Sequence, residues 1–478
     1  MPFGTFLMTT KERLTIRPQP MPEQEALVRA RNMNEVALGY TAEMAKSEAS
    51  RCLNCPAKPC VKGCPIKIDI PRFLAMAADG DFEGALRVIR ENSLLPAVCG
   101  RVCPQEKQCQ QHCTVGKIFK DVAKAVAIGR VERFVADVDM ASSPPSSQPQ
   151  QPSPSTPKIA VVGSGPASIT CAADCARAGF KVTMFEAFHR AGGVLIYGIP
   201  EFRLPKHIVE REIANLQAMG VKVVTDFVVG RTKTIAELRA EFDAVFIGTG
   251  AGLPKFMNIE GENLLGVFSA NEYLTRANLM KAYDEEHAAT PYWHGRRVAV
   301  LGGGNVAMDA ARMALRLGAD EVSLVYRRSL VEMPARAEEI HHAEEEGVKF
   351  HCLENAKRIL GDDRGCVRAL ECLKYELGEP DESGRRRPVA IVGSEFELPV
   401  DTVVVAVGSG SNPLIAATTP ELVVDAKGHI VVDKTSGMTS IPGVFAGGDI
   451  VLGAATVILA MGEGRRAAAG IIEYLSKS

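Results

Sequence analysis

Eight of the chain's thirteen cysteines lie between Cys52 and Cys113, at spacings that suit metal clusters. They form two runs, Cys52-x2-Cys55-x4-Cys60-x3-Cys64-Pro65 and Cys99-x3-Cys103-Pro104-x4-Cys109-x3-Cys113. Eight thiolates are enough for two [4Fe–4S] clusters, and thiolate sets without histidine favour iron–sulfur or zinc over harder metals. Iron–sulfur is the favoured interpretation, and a pair of four-cysteine zinc sites is the alternative.

The cysteine that precedes a proline is expected to ligate a different cluster from the rest of its run, as in two-cluster ferredoxins. The two runs should therefore interleave. The predicted ligands of the first cluster are Cys52, Cys55, Cys60 and Cys113. The predicted ligands of the second cluster are Cys64, Cys99, Cys103 and Cys109.

The rest of the composition predicts a cytoplasmic protein. The formal net charge is −2, and the one dense basic run, residues 385–387, reads as a solvated turn, so nothing favours nucleic acid or an anionic membrane as a partner. Residues 1–13 lack the apolar core of a signal peptide, and no stretch of about 20 apolar residues could cross a membrane. In a reducing cytosol the cysteines stay free to bind metal.

A segment rich in proline, serine and glutamine, residues 141–157, divides the chain. Such a segment cannot bury apolar surface, so it is predicted to be an extended linker. The cysteine module before it, residues 1–140, carries apolar residues at helical spacing in residues 83–90 and 122–135. The remainder alternates Val/Ile-rich strands with helices, which indicates parallel sheets covered on both faces.

A first dinucleotide-binding pattern follows the linker. A strand from Lys158, a turn through Gly163 and Gly165, a helix, and a second strand ending at Glu186 satisfy the Rossmann fingerprint. Gly163 provides the tight turn, Gly165 lets the backbone approach a pyrophosphate at the helix N-terminus, and Glu186 can accept from a ribose hydroxyl. Ser168 stands where Gly or Ala is usual, and is expected to loosen the packing of helix on strand slightly.

A second dinucleotide-binding pattern has the same order of strand, glycine turn, helix and strand, but different residues follow its second strand. Gly302 and Gly304 lie between an apolar strand and a helix, and the next strand, residues 322–325, is followed by Arg327 and Arg328. The guanidinium group of arginine can bind the 2′-phosphate of NADP, whereas an acidic side chain at this position would bind the 2′-hydroxyl of NAD. This site is therefore predicted to prefer NADP(H).

A third glycine motif lies near the end of the sequence. Gly448 and Asp449 precede an Ala/Gly-rich helix start at residues 453–456, where an acid can hold a sugar-like chain and the helix can face a pyrophosphate or a reduced flavin. This motif returns the chain to the first nucleotide domain, so the NADP domain is an insertion. The predicted bounds are 158–285 and 401–478 for the first domain and 286–400 for the inserted domain.

These motifs together resemble the glutamate synthase small (beta) subunit family over essentially the whole chain. The matching stretches, besides the cysteine module, are residues 96–110, 192–205, 246–251, 302–309 and 446–449. Residues 34–40, 127–137 and 452–462 are similar to a compact branch of that family. That branch contains the homotetrameric-type NADPH glutamate synthases and the large subunit of NADH-dependent reduced ferredoxin:NADP oxidoreductases.

The resemblance implies FAD at the first nucleotide site and NADPH at the second. The implied FAD contacts are Gly163, Gly165, Pro166, Ala167, Glu186, Gly193, Gly250, Gly448, Asp449 and Thr456. The implied NADPH contacts are Gly302, Gly304, Asn305, Val306, Arg327 and Arg328. In the electron-entry half of dihydropyrimidine dehydrogenase, which the chain also resembles, a side-chain amide ligates one cluster from the stretch matching residues 129–134. Glu132 is therefore a candidate substitute for Cys99.

The expected chemistry is electron transfer. NADPH delivers two electrons at once, an iron–sulfur cluster accepts one, and a flavin converts between the two, so no catalytic acid, base or nucleophile is expected. The resemblance predicts the NADPH-oxidising subunit of glutamate synthase. No motif for an amidotransferase or an FMN barrel is present, so glutamate formation would need a partner large subunit.

Two other functions remain open at this stage. One is the subunit of the bifurcating ferredoxin:NADP oxidoreductase, paired with a smaller flavoprotein or a ferredoxin. The other, which is a remote alternative, is a non-enzymatic scaffold that binds zinc. The sequence leaves the oligomeric state open.

Overall fold

The computed structural model of the chain describes residues 8–142, 155–284, 286–291, 293–382 and 384–477. Its helices are α1 (Thr10–Thr15), α2 (Ala26–Arg29), α3 (Ala42–Ser50), α4 (Pro59–Gly63), α5 (Ile70–Asp79), α6 (Phe82–Arg90), α7 (Pro96–Val102), α8 (Thr114–Phe119), α9 (Ile128–Ser142), α10 (Pro166–Arg177), α11 (Val194–Tyr197), α12 (Lys206–Ala218), α13 (Ile235–Glu241), α14 (Ala270–Asn278), α15 (Asn305–Arg316), α16 (Ala337–Glu345), α17 (Leu414–Ala417), α18 (Asp449–Leu452) and α19 (Val457–Lys477). Its strands are β1 (Lys158–Val162), β2 (Lys181–Phe185), β3 (Lys222–Val224), β4 (Ala244–Ile247), β5 (Leu253–Pro254), β6 (Val267–Ser269), β7 (Arg297–Leu301), β8 (Glu321–Tyr326), β9 (Lys349–Cys352), β10 (Glu354–Gly361), β11 (Val367–Pro380), β12 (Arg386–Ala390), β13 (Phe396–Pro399), β14 (Thr402–Val405), β15 (Ser409–Gly410) and β16 (Val444–Ala446). None of the helices in these described ranges combines the length and the apolarity needed to span a bilayer.

The cysteine module is helical, from α1 to α9. The predicted helix at residues 83–90 is confirmed by α6, which begins after Asp81; the Asp81 carboxylate accepts a hydrogen bond of 2.8 Å from the backbone N–H of Gly84. The predicted helix at residues 122–135 is wrong in its first part, because a 3₁₀ turn at Val122–Lys124 precedes α9. The buried Arg51 guanidinium donates to the carbonyls of Lys124 and Ala125, so these two carbonyls bond Arg51 instead of helical N–H groups.

The predicted linker at residues 141–157 lies largely outside the described residues. Helix α9 continues to Ser142, and strand β1 begins at Lys158.

The first nucleotide domain is built on a parallel sheet of five strands in the order β16-β4-β1-β2-β3. Strand β1 lies in the middle, with Ile159 opposite Val182 on one side and Ala244 on the other. Its residues from Ile159 to Val162 are all buried, because Ile159 and Val161 pack with α10 and α19 on one face while Ala160 and Val162 pack with α13 on the other. A strand with both faces covered is why the sequence reads as a continuous apolar run here.

The inserted domain carries a second parallel sheet, in the order β6-β14-β7-β8-β9. The chain leaves the first sheet after β4 and returns to it only with β16, which pairs with β4. The predicted fold class, a helical cluster domain followed by two Rossmann-like domains with one inserted in the other, is confirmed.

The predicted bounds of the inserted domain shift at both ends. Strand β6 and helix α14 belong to its sheet, although they precede residue 286, and β14 belongs to it although it follows residue 400. The chain crosses between the domains at the short pair of β5 with β15. A three-residue strand such as β6 carries too little periodicity to be recognised, and the turn-rich residues 281–296 resemble a boundary although they lie inside the domain.

An antiparallel sheet in the inserted domain was not predicted. Strand β11 pairs with β10, β12 and β13. Its inner side packs on the parallel sheet, where Leu370 and Cys372 join Val403 in one core. A separate, larger core runs without interruption from the cluster module into the first nucleotide domain, so these two units pack as one body.

Candidate functional site

The four cysteines predicted for the first cluster come together around one small cavity. Cys52, Cys55, Cys60 and Cys113 line it, and the remaining wall is mostly apolar, with Leu74 and Ile128 among its residues. Burial, then the nearby thiols of Cys52 and Cys113, raise the pKa of Cys60 to about 12. Burial of thiols beside one another is unfavourable for four separate thiolates, and a cationic iron–sulfur core would offset that cost.

The residues predicted for the second cluster also converge. Burial raises the pKa of Cys109 well above its ordinary value, and the charges of Cys103, Glu132 and Cys64 raise it further, so these groups lie near one another. Among the described residues no group of three or more His, Cys, Asp or Glu side chains is arranged to hold a metal ion. The fit to a cluster is therefore judged from the chemistry of the donors, which are buried or half-buried thiols and one buried carboxyl.

Cys99 and Glu132 are the two candidates for the last ligand of this second set, and their surroundings differ. The thiol of Cys99 is fully buried and donates to the sulfur of Met461 in α19 at 3.6 Å. Glu132 is 7% exposed, and its Oε1 atom has no hydrogen-bond partner in the described ranges. Burial alone raises the pKa of Glu132 to about 8. A buried carboxyl oxygen without a partner is costly, and iron at this position would satisfy it.

The first nucleotide site is a cradle of glycines between β1 and α10. Gly163 has φ +93°, and a Cβ atom there would lie 2.5 Å from the carbonyl oxygen of Gly248. Gly165 precedes α10, which begins at Pro166, and a Cβ atom on Gly165 would meet nothing within 4 Å. The N-terminus of α10 is thus open at the place where a pyrophosphate is expected.

Two further loops close on this cradle. A Cβ atom on Gly193 would lie 2.8 Å from the Cα of Gly165, and one on Gly448 would lie 2.8 Å from the Cβ of Ala167. Only glycine at both positions permits these approaches. The structure therefore brings the first and third glycine motifs of the sequence together, and Gly250 follows β4 at the same edge of the sheet.

The acidic residues of this site are half-buried or buried. The carboxylate of Glu186 accepts hydrogen bonds from the Ser164 hydroxyl and, at 2.8 Å, from the N–H of Phe188. Burial raises the pKa of Asp449 to about 6. Thr456 stands just before α19 and accepts a hydrogen bond of 3.5 Å from the Gln108 amide, next to Cys109.

Sequence reasoning missed Tyr197 and misjudged Ser168. Burial, then the charges of Asp449 and Glu186, raise the pKa of Tyr197 to about 12, so this ring lies near both acids. The only signal was an aromatic residue inside the matching stretch 192–205. Ser168 does not loosen the packing as expected, because its buried hydroxyl donates to the carbonyl of Gly248 at 3.3 Å and joins α10 to the end of β4.

The second nucleotide site repeats the cradle between β7 and α15. Gly302 has φ +143°, and a Cβ atom there would lie 2.4 Å from the carbonyl oxygen of Ala406, whereas Gly304 before α15 has open space. The side chain of Asn305 accepts a hydrogen bond of 2.9 Å from the backbone N–H of Arg336, and Val306 is exposed. These features leave the start of α15 accessible to a pyrophosphate.

The two arginines after β8 have different surroundings. Arg328 is 6% exposed, and its guanidinium donates to the carboxylate of Asp381 at 2.7 Å and to the carbonyl of Arg386 at 2.8 Å. Arg327 is exposed and takes part in none of the ion pairs found in the described part of the chain. Arg327 is thus available to a phosphate, while Arg328 already anchors the strand pair of β11 and β12.

Buried ion pairs hold the two nucleotide domains against each other. The guanidinium of Arg203, from the first domain, lies 2.6 Å from Asp309 and 3.0 Å from Glu339 in the inserted domain. Burial would raise the pKa of Glu339, but Arg203 and Arg312 lower it to about 2. Arg336 also joins the inserted domain to the cluster module, because it donates to the carbonyl of Arg101 at 2.7 Å.

Comparison with known families agrees with this arrangement. Residues 29–143 match the family described as "Dihydroprymidine dehydrogenase domain II, 4Fe-4S cluster", and residues 157–464 match "Pyridine nucleotide-disulphide oxidoreductase". Among solved structures, "Mycobacterium tuberculosis FprA in complex with NADPH" has a TM-score of 0.56 and 22% identity over 67% of this chain and 85% of that chain, which shows the fold. The fold and sites thus define an NADPH-dependent flavin and iron–sulfur oxidoreductase.

Curated relatives identify the family within that class. The chain is 36% identical to the NADPH glutamate synthase small chain of Halomonas elongata, over 95% of this chain and 96% of the relative. The chain belongs to the glutamate synthase small-chain family. It is also 41% identical, over 87% of its length, to the NADP(+)-dependent formate dehydrogenase subunit beta of Moorella thermoacetica, and spans about 60% of that subunit. The predicted family, FAD, NADPH and iron–sulfur cofactors are confirmed.

Proposed function

We propose that this chain oxidises NADPH and passes electrons through FAD and two [4Fe–4S] clusters to a glutamate synthase large subunit. FAD, when bound, would accept the two electrons of a hydride together and release them singly. The chain's own residues bind and align the redox groups and exclude water. No acid, base or nucleophile of the protein is needed for this chemistry.

The observation that supports this path most directly is the contact between the second cysteine set and the first nucleotide domain. Cys99 contacts Met461, and Gln108 contacts Thr456, so α19 lies against both sites. Cys52 and Cys55 of the first set are half-buried. These contacts support an electron path from the nucleotide cradle to the second cysteine set and then to the first cysteine set.

We assign the last ligand of the second cluster to Glu132, with Cys64, Cys103 and Cys109 as the other three. The carboxyl of Glu132 is buried near these thiols and joins no ion pair among the residues that the structure describes, whereas the thiol of Cys99 already donates to Met461. Iron would supply the missing cation. The first cluster keeps the four cysteines that line its cavity.

Coverage of the relatives favours the glutamate synthase partner. The match to the small chain spans nearly both proteins, whereas the formate dehydrogenase subunit beta extends well beyond the matched part. The higher identity to that subunit supports a second candidate, a chain that exchanges electrons with a different oxidoreductase partner.

The proposal is tested by assays of the isolated chain, of the chain with the large subunit, and of the native complex. The isolated chain should reduce an artificial acceptor with NADPH and form no glutamate from glutamine and 2-oxoglutarate. Addition of the large subunit from the same organism should restore NADPH-dependent glutamate formation. NAD-dependent ferredoxin reduction, or formate-linked NADP reduction, by the native complex in place of glutamate formation would contradict it.

A further inference from the structure

One outer face of the cluster module is formed by two segments, residues 53–58 and 114–124. The thiol of Cys55 donates to the hydroxyl of Thr114 at 3.1 Å, which joins the first segment to the start of α8. Thr114 and Val115 also line the cavity of the first cysteine set. We call these two segments the docking face. It lies beside the first cysteine set.

The docking face exposes large apolar side chains close together. Ile118 is 49% exposed, Phe119 40% and Val122 39%. Isolated apolar residues are normal on a protein surface, but three within five positions form a patch, and such patches mark interaction sites. Nothing in the electron-transfer chemistry inside the module requires these side chains to face solvent.

The apolar patch has a basic surround. Residues 52–69 and 113–124 together contain six lysines and two aspartates, and Asp69 pairs with Lys58, in a chain whose net charge is −2. Lys117, Lys120 and Lys62 are exposed and join none of the ion pairs found among the described residues. The Lys124 ammonium lies 5.8 Å from the centre of the Phe119 ring, so charge and apolar surface are adjacent.

We propose that the docking face binds the electron-accepting partner, and that this partner presents acidic side chains around an apolar centre. Resting on the proposed function, this inference takes the partner to be the glutamate synthase large subunit. Opposite charges at the rim would steer the encounter and set its orientation, while burial of Ile118, Phe119 and Val122 would hold the complex. The acceptor would then lie against the first cysteine set.

Charge reversal of exposed lysines tests the docking face. The variant K117E/K120E should bind the purified large subunit at least tenfold more weakly than the wild type at low ionic strength, and the difference should shrink as salt is added. The matched control K222E/K427E changes two exposed lysines on the first nucleotide domain and should bind normally. Reduction of menadione, an uncharged quinone, by NADPH should be the same in all three proteins.

Redox titration separates docking from an effect on the cluster itself. The midpoint potential of the first cluster, followed by electron paramagnetic resonance, should be unchanged in K117E/K120E. Equal binding by wild type and variant, or a shifted potential that accounts for lost electron transfer, would overturn the docking face.

Failure of the proposed function is recognisable separately, because the wild type itself would then not bind the large subunit. In that case an acidic plant-type [2Fe–2S] ferredoxin serves as the probe. Weaker ferredoxin binding by K117E/K120E than by K222E/K427E supports the docking face, and equal binding rejects it.

Discussion

Replacement of Arg327 by alanine should convert this NADPH enzyme into one that discriminates poorly between NADPH and NADH. Arg327 is exposed and joins no ion pair within the part of the chain that the structure describes, so no such contact is lost when it binds a 2′-phosphate. A charge-assisted hydrogen bond contributes about 1.5–3 kcal/mol, and at an exposed site we expect a total of about 2–3 kcal/mol. That corresponds to a loss of about 30- to 150-fold in kcat/KM for NADPH.

Stopped-flow measurement of flavin reduction with each nucleotide gives the result directly. The rate with NADH should stay nearly unchanged in R327A, because NADH lacks the phosphate. R328A is the matched control: it removes the contacts with Asp381 and Arg386, so it should lower the thermal midpoint and affect both nucleotides alike. Equal losses for NADPH and NADH in R327A, or a selective loss in R328A, would refute the reasoning.

Three further experiments test the cluster ligands and the buried charges. E132A, which removes the candidate ligand, should lose the electron paramagnetic resonance signal of the second cluster and about half of the eight irons expected per chain, whereas C99S should keep both. The reverse pattern would assign Cys99 as the ligand. R203A should lower the free energy of unfolding by about 3–5 kcal/mol, since it leaves carboxylates buried without their partner, while R296A, which removes an exposed ion pair, should cost less than about 1 kcal/mol in denaturant titrations. Because burial raises the pKa of Asp449 to about 6, the folded state binds more protons than the unfolded state between about pH 4 and 6, so stability falls as pH rises through that window. Without FAD, the D449N variant should therefore have the same free energy of unfolding as the wild type below about pH 4. Above about pH 7 its free energy of unfolding should be higher by up to about 3 kcal/mol, and a constant difference at all pH values would contradict this.

Local patterns in the sequence predicted much of the nucleotide domains. The second strand of the first pattern, predicted to end at Glu186, is β2. The glycine turns at Gly163 and Gly302 lie where backbone that follows the neighbouring strand leaves no room for a side chain. These features depend on a few consecutive residues, so composition and spacing are sufficient to find them.

Features that depend on distant pairs could not be predicted in this way. Arg328 and Arg327 are adjacent and chemically identical, and only the fold shows that Asp381, 53 positions away, engages one of them. The same holds for Cys99, because its thiol contacts Met461, which lies 362 positions later in the chain. The antiparallel sheet around β11 was missed because its strands follow no βαβ alternation. Glu132 was only a candidate until its burial without a cation was known.

The discontinuous first sheet has a consequence for biosynthesis. Strand β16 and helix α19 are made about 200 residues after β4, which at typical translation rates of about 5–20 residues per second is a delay of about 10–40 s. The cysteine module and the inserted domain emerge from the ribosome during or before this interval. Met461 and Thr456, which contact the cysteine module, arrive last. Iron–sulfur assembly can therefore precede the closure of the flavin cradle, and α19 completes both sites in a single late step.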